Sequence, residues 1–226
     1  MQGRYDKKDR ADYTVSPDTL SDVIRSMPAE SVLLDVGCAG WSVPELSRTL
    51  GRCDLRHIGA DVYGEPAGKP ASVDFISIAS DGDEFGSNLA DLVISSHCLE
   101  HSRRPVEQFR SLIRSCKPGG LIYVESPSEL SALGRSDDDP RSHAFASFWD
   151  DPTHVRPYTP GALYRLGLSF RMPALRCGRL DRGGIPCAAA LFRAVEEESY
   201  RYVSLRGVPP GTEAALNAIW PAPRGS

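Results

Sequence analysis

At 226 residues the chain has the length of one ordinary domain, and 41% hydrophobic against 25% charged residues gives it a packed core and argues against disorder. A formal net charge of −4 leaves no basic excess, so no nucleic-acid partner is expected. The six cysteines include no CxxC pair, and no apolar run approaches the ~18 residues of a membrane span. The chain therefore reads as a reduced, cytoplasmic protein with no signal peptide and no membrane insertion.

Residues 1–15 (MQGRYDKKDRADYTV) are polar. They read either as a tail or as a flap over a site, with Tyr5 or Tyr13 as contacts. A helix is expected next, with Ser16 as N-cap, Pro17 at the first helical position and Asp18 in the first turn. Leu20, Val23, Ile24 and Met27 form its apolar face, and Pro28 ends it.

The stretch SVLLDVGCAGWS then packs Val32, Leu33, Leu34 and Val36 around one carboxylate, Asp35, before Gly37, Cys38, Ala39 and Gly40. A short apolar run ending in small residues reads as a strand buried on both faces that breaks into a tight loop. A helix follows, with Val43, Leu46 and Leu50 at helical spacing and Pro44 near its first turn. Strand, small-residue loop and helix leave backbone N–H groups free to hold a ligand.

Leu55, Ile58 and Ala60 lead a second strand into Asp61, with Val62, Tyr63 and Gly64 after it. An acidic residue about 25 positions past such a loop can accept both hydroxyls of a ribose, or simply cap a turn. A third strand, Phe75 to Ile78, ends near Asp81 and Asp83. Either could accept a purine exocyclic amine, or serve as a turn residue. The fourth strand buries Leu92 to Ile94 and carries Ser95 and Ser96 at its carboxyl end, the ligand side of such sheets. His97, Glu100 and His101 fall there. An amphipathic helix follows, with Val106, Phe109, Leu112 and Ile113 on one face. KPGG is read as the turn that ends it, and LIYVESP as a fifth strand.

Residues 128–160 are too long for a plain connection and are rich in histidine and aromatic side chains, which reads as a lid over an acceptor. Thr159 and Pro160 then open a helix with Leu163, Leu166 and Leu168 buried. Two apolar runs, Met172 to Leu180 and Pro186 to Val195, flank the turn DRGG and read as an antiparallel pair at the sheet edge. GTEAALNAIW is a candidate short helix and PAPRGS a loose tail. The alternation predicts a parallel sheet covered on both faces, in one domain spanning 1–226.

LLDVGCAG, GAD, DLVISSHCLEH and LIRSCKPGGLIYVESP, in this order, resemble the class I S-adenosylmethionine (SAM) methyltransferases, over roughly Val32 to Val195. DPTHVRPYTPGALYRL is similar to a pattern in UbiE/UbiG-like methyltransferases of bacterial small molecules and glycans. The resemblance implies a Rossmann-like α/β fold, with a mostly parallel seven-stranded sheet, an antiparallel C-terminal strand and helices on both faces. It implies SAM as cofactor and S-adenosylhomocysteine as product. It places Asp35, Gly37, Cys38, Ala39 and Gly40 along the methionine end, and Asp61 and Val62 at the ribose. Asp81 or Asp83 would lie by the adenine, with Ser96 and His97 near the sulfonium. The family loop reads D-x-G-x-G-x-G, whereas Ala39 and Trp41 stand here for its second and third glycines. Ala39 lets the backbone approach the ligand if its φ stays negative, and Trp41 must turn aside or stack beside the cofactor. A nicotinamide enzyme would want GxGxxG, which GCAGWS lacks.

Methyl transfer to a hydroxyl needs a base, and histidine suits that near neutral pH. Of five histidines, His57 reads as structural and His101 as a support of the fold or cofactor loop. His143 and His154 lie in the insertion. His154, with Asp150 and Asp151 upstream, is the first candidate base, and His97 the second catalytic candidate. Trp149, Asp151, Arg156 and Tyr158 are candidate acceptor contacts. A metal held by Asp150, Asp151 and His154 has no strong spacing precedent, so none is expected. The expected activity is methylation of a small-molecule or sugar-containing acceptor at oxygen, by a monomer or homodimer. The alternative is a protein that keeps the fold and binds SAM or a partner without catalysis.

Overall fold

The computed structural model describes residues 15–80, 82–133 and 147–194. The expected N-terminal flap, Asp81, His143, the centre of the insertion and the C-terminal helix lie outside these residues. Seven strands form one sheet in the order β3-β2-β1-β4-β5-β7-β6. They are β1 (Val32–Val36), β2 (Arg56–Asp61), β3 (Val73–Ser77), β4 (Ala90–Ser96), β5 (Cys116–Pro127), β6 (Ala174–Arg182) and β7 (Ile185–Arg193). β1 to β5 pair in parallel, and β7 runs antiparallel to both β5 and β6. The predicted closing hairpin is thus present, with its second strand inserted beside β5.

Side chains of adjacent strand residues point to opposite faces, and the core divides accordingly. Leu33, Leu92, Ile94, Tyr123 and Ala189 pack with Val23, Ile24 and Val43, which belong to α1 (Thr19–Ser26) and α2 (Ser42–Thr49). Leu34, Val93, Ile122, Val124 and Ala190 pack with Phe109, Leu112 and Leu163, from α3 (Pro105–Ser115) and α4 (Pro160–Ser169). Helices therefore cover both faces.

The local chemistry accounts for several departures from the expected elements. α1 starts at Thr19 rather than Pro17, and no side chain caps it. The Ser16 N–H instead donates to Thr19 Oγ1 at 2.8 Å. Val106 of α3 is exposed, while Gln108, Ser111 and Ser115 are buried beside Phe109 and Leu112. KPGG does not end α3 in a free turn. β5 begins at Cys116, and its register against β4 jumps from Ala90↔Cys116 to Leu92↔Leu121. Lys117–Gly120 are thus a bulged entry to the strand, in which Gly119 has φ +80 and a Cβ on Gly120 would lie 2.8 Å from the Asp91 carbonyl. Thr159 caps α4 as expected, accepting the Ala162 N–H at 2.9 Å. The buried positions of that helix are Leu163 and Gly167, followed by Phe170; Leu168, five residues after Leu163, is off this stripe and exposed. Gly167 is there because a Cβ would stand 2.2 Å from the Phe192 ring. His57 lies inside β2, half-buried, sharing a 2.9 Å hydrogen bond with Ser47, which fits its structural reading.

Candidate active site

Two cavities open at the carboxyl ends of the central strands. The larger, about 540 Å³, is lined by Gly37, Ala39, Asp61, Val62, Asp83 and His97, among others. The smaller, about 360 Å³, is lined by His97, Glu100, His101, Phe148, Asp151 and His154, among others. His97 and His101 belong to both walls, so the cavities meet at the turn after β4.

The loop after β1 shapes the first cavity. Gly37 has φ +78, and a Cβ there would stand 2.6 Å from Cys98 Sγ, so glycine is required twice over. Its N–H and that of Cys38 both donate to the Ala60 carbonyl. Ala39 does not keep a negative φ. It sits at +35, held by its N–H donating to Asp61 Oδ2 at 2.9 Å. Trp41 turns aside: its indole N–H donates to the Ala67 carbonyl at 3.0 Å, and its ring packs edge-on to Phe75 over Gly59. Asp35 is buried in β1, behind the cavity wall rather than in it. Burial first, and then the Asp61 charge, push its carboxyl up to about 7. Cys38, Gly40 and Ser96 also stay out of the wall. The Cys38 thiol is turned toward Gly59.

His97 is placed by backbone and side chain together. It has φ +51, and its N–H donates to the Glu125 carbonyl at 2.9 Å. Its ring lies between two buried carboxylates, Nδ1 at 3.6 Å from Glu100 and Nε2 at 3.5 Å from Glu125, with Cys187 Sγ at 3.9 Å. Cys187 and Glu125, then Glu100, raise it to about 10 against partial burial. Both of its ring nitrogens are directed at these acidic groups. Burial alone would raise Glu125. His97, the Arg182 guanidinium at 2.8 and 2.9 Å, and the Tyr123 hydroxyl hold it down to about 2.

The second cavity is built from the two ends of the insertion. Val155 N–H donates to the Glu100 carbonyl and Tyr158 N–H to the Pro127 carbonyl, which fasten the segment beside β4 and β5. His154 stacks on Phe148, its ring centroid 4.3 Å from that ring and 4.7 Å from His101. Asp150 caps the turn at Phe148–Asp150 by accepting the Ser147 N–H at 2.7 Å, while Asp151 faces the cavity. Three expected acceptor contacts do not reach it. Trp149 is 57% exposed and lies against the outer side of Phe148. Arg156 points to solvent. Tyr158 is buried in the core with its hydroxyl unpaired, because the bridge to Ser128 turns its ring inward. Sequence reasoning missed Glu125 as a site residue, although a glutamate among apolar residues at a strand's carboxyl end was a signal. It also missed Arg182 and Cys187, which distant strands bring in without any local signal.

The methyltransferase-domain family profile matches residues 9–168. A search of curated proteins finds no match. Among solved structures, a SAM-dependent methyltransferase from Aquifex aeolicus is 14% identical, with 79% of this chain and 89% of that one covered and a TM-score of 0.52. A Burkholderia thailandensis 1,6-didemethyltoxoflavin-N1-methyltransferase, solved with 1,6-didemethyltoxoflavin and S-adenosylhomocysteine, is 17% identical, covering 74% and 72%, with a TM-score of 0.52. The [4+2]-cyclase SpnF is 18% identical, covering 79% and 81%, with a TM-score of 0.55. These likenesses carry the fold, whereas the profile covers most of the chain, and the chain belongs to the SAM-dependent methyltransferase-domain family.

Proposed function

We propose that the chain methylates a small-molecule or sugar-containing acceptor, at oxygen, with SAM in the larger cavity and the acceptor in the smaller. The observation that carries this reading is the shared wall at His97 and His101, which lets a group in one cavity face a group in the other. The larger cavity fits SAM by its donor set. Asp61 is fixed by the amides of Ala39 and Tyr63, each at 2.9 Å, and each of its oxygens keeps a lone pair for a ribose hydroxyl. The turn at Gly37 to Ala39 presents main chain to the methionine end, with the Asp35 carboxylate behind it. Asp83 lies in the same wall, at the adenine end. Bound there, SAM supplies an electrophilic methyl group.

The chain's own part is alignment and removal of a proton. His154 Nδ1 lies 2.6 Å from the Phe148 carbonyl, which only accepts, so Nδ1 carries the hydrogen and Nε2 keeps its lone pair. Nε2 is the group assigned to the proton of an attacking hydroxyl, with Asp151 Oδ2 3.7 Å away to balance the charge. The same lone pairs suit a cation, a second reading that Glu100, buried without a hydrogen-bond partner, favours.

The test is incubation of the protein with SAM and a panel of glycosides, polyols, phenols and amines, followed by mass spectrometry. A gain of one CH2 unit on a hydroxyl compound, lost in His154→Asn with S-adenosylhomocysteine binding intact, supports the reading. Methylation confined to amines would overturn the oxygen assignment.

A further inference from the structure

We propose that Glu100, His101 and His154 form a binding site for a divalent first-row transition cation on the acceptor side of the site. The proposal rests on the reading of the smaller cavity as the acceptor site and adds to it how an acceptor oxygen is activated. A carboxylate oxygen of Glu100 and one ring nitrogen each of His101 and His154 lie within 4.8 Å of one another. Ligand atoms around one such ion, with bonds of about 2.1 Å, lie about 3.0–3.4 Å apart, so side-chain rotations that draw these atoms together by up to about 1–2 Å close the set.

The hydrogen-bond network fixes which ring atoms are available. Thr153 Oγ1 donates its hydrogen to Asp151 Oδ1 at 2.5 Å. It can then only accept from His101 Nδ1, 2.8 Å away, which leaves His101 Nε2 with its lone pair. The Phe148 carbonyl makes the same assignment for His154. Both rings thus have Nδ1 tied and oriented by a second partner and Nε2 free, the arrangement that metal-ligating histidines use.

The independent observation is Glu100. Its side chain is fully buried, and neither carboxylate oxygen has a hydrogen-bond partner. Its ionic support is weak: His97 Nδ1 stands 3.6 Å away and is shared with Glu125, and His101 and the Ser126 hydroxyl add only a little. Burial disfavours the charged carboxylate, and a coordinated cation offsets that cost. The contrasting trio His97, Glu125 and Cys187 is also close. There Glu125 is already satisfied by Arg182 and Tyr123, so that trio has no need of a cation.

Two imidazoles and a carboxylate that leave open positions suit Mn²⁺, Fe²⁺, Co²⁺ or Zn²⁺ better than Ca²⁺ or Mg²⁺. An acceptor hydroxyl that completed the coordination would lose its proton more readily, and with the His154 Nε2 lone pair taken by the cation the proton would pass to the Asp151 carboxylate in the same wall instead of to His154.

The probe is Co²⁺, titrated into EDTA-treated full-length protein without acceptor and followed by its visible absorption and by calorimetry. One equivalent is expected to bind. Glu100→Gln, His101→Asn and His154→Asn should each weaken it tenfold or more, with S-adenosylhomocysteine binding retained. Cys53→Ser, which removes the exposed thiol, should leave it unchanged. If His101→Asn or His154→Asn loses S-adenosylhomocysteine binding, the isosteric Glu100→Gln decides alone. No Co²⁺ binding, or binding indifferent to Glu100→Gln, overturns the proposal and leaves the acceptor reading to its own panel. Co²⁺ binding with no methylated product in that panel has the reverse meaning.

Discussion

The Asp61 carboxylate accepts the Ala39 N–H at 2.9 Å, tying the end of β2 to the loop that follows β1. One carboxylate thus holds Ala39 in its left-handed conformation and faces the cofactor cavity. Asp61→Ala removes both roles. Hydrogen bonds to a charged group are worth about 1.5–3 kcal/mol, so S-adenosylhomocysteine affinity should fall by roughly tenfold to a hundredfold. Titration calorimetry reads this directly, and an unchanged affinity would remove Asp61 from the ribose.

Asp35 is raised to about 7 by burial and then by Asp61. A carboxyl whose folded pKa exceeds its unfolded value holds its proton more tightly when folded. It costs stability above pH ~7, and the cost disappears as pH falls below ~4. Asp35→Asn is therefore expected to raise the melting temperature at about pH 8 and to change it little at about pH 4. It should also weaken S-adenosylhomocysteine binding, since the ligand's ammonium group favours the charged carboxylate. Equal shifts at the two pH values would contradict the assignment.

The Glu125–Arg182 pair has the opposite sign. Glu125 is held at about 2, below its ordinary 4.5. Its contribution is present above pH ~4.5 and is lost as pH falls toward ~2. Arg182→Met leaves a buried carboxylate with less support, and also removes a bond to the Pro17 carbonyl at the start of α1. A loss of about 3 kcal/mol at neutral pH is expected by urea unfolding, with a shallower acid limb. Adding Glu125→Gln should restore part of the loss. A single variant as stable as the parent would show that the pair does not hold the β5–β6 side of the site.

Much of the frame was legible in local patterns. The apolar run at Val32–Val36, the glycine turn and the acid at Asp61 mark β1, its loop and β2. Thr159–Pro160 mark the start of α4. Errors came where a partner outside the window decided the outcome. Ser16 resembled a cap, yet α1 starts at Thr19 without a side-chain cap, and the Ser16 N–H donates to Thr19 Oγ1. KPGG resembled a turn, yet Asp91 and Val32 pair it into the sheet entry through Lys117. Tyr158 resembled an acceptor contact, yet the Ser128 bridge commits it to the core.

What the sequence by itself determined was the succession of strands and helices along the chain, the fold they resemble and the loop with its two carboxylates, because periodicity and turn chemistry act over a few residues. Only the tertiary structure decided which histidines share a cavity. It set His101 and His154 side by side from elements more than fifty residues apart, buried Glu100 close to both without a hydrogen-bond partner, and brought Arg182 from the far edge of the sheet to Glu125. Those contacts depend on strand order and on the docking of the insertion, for which no short-range pattern codes.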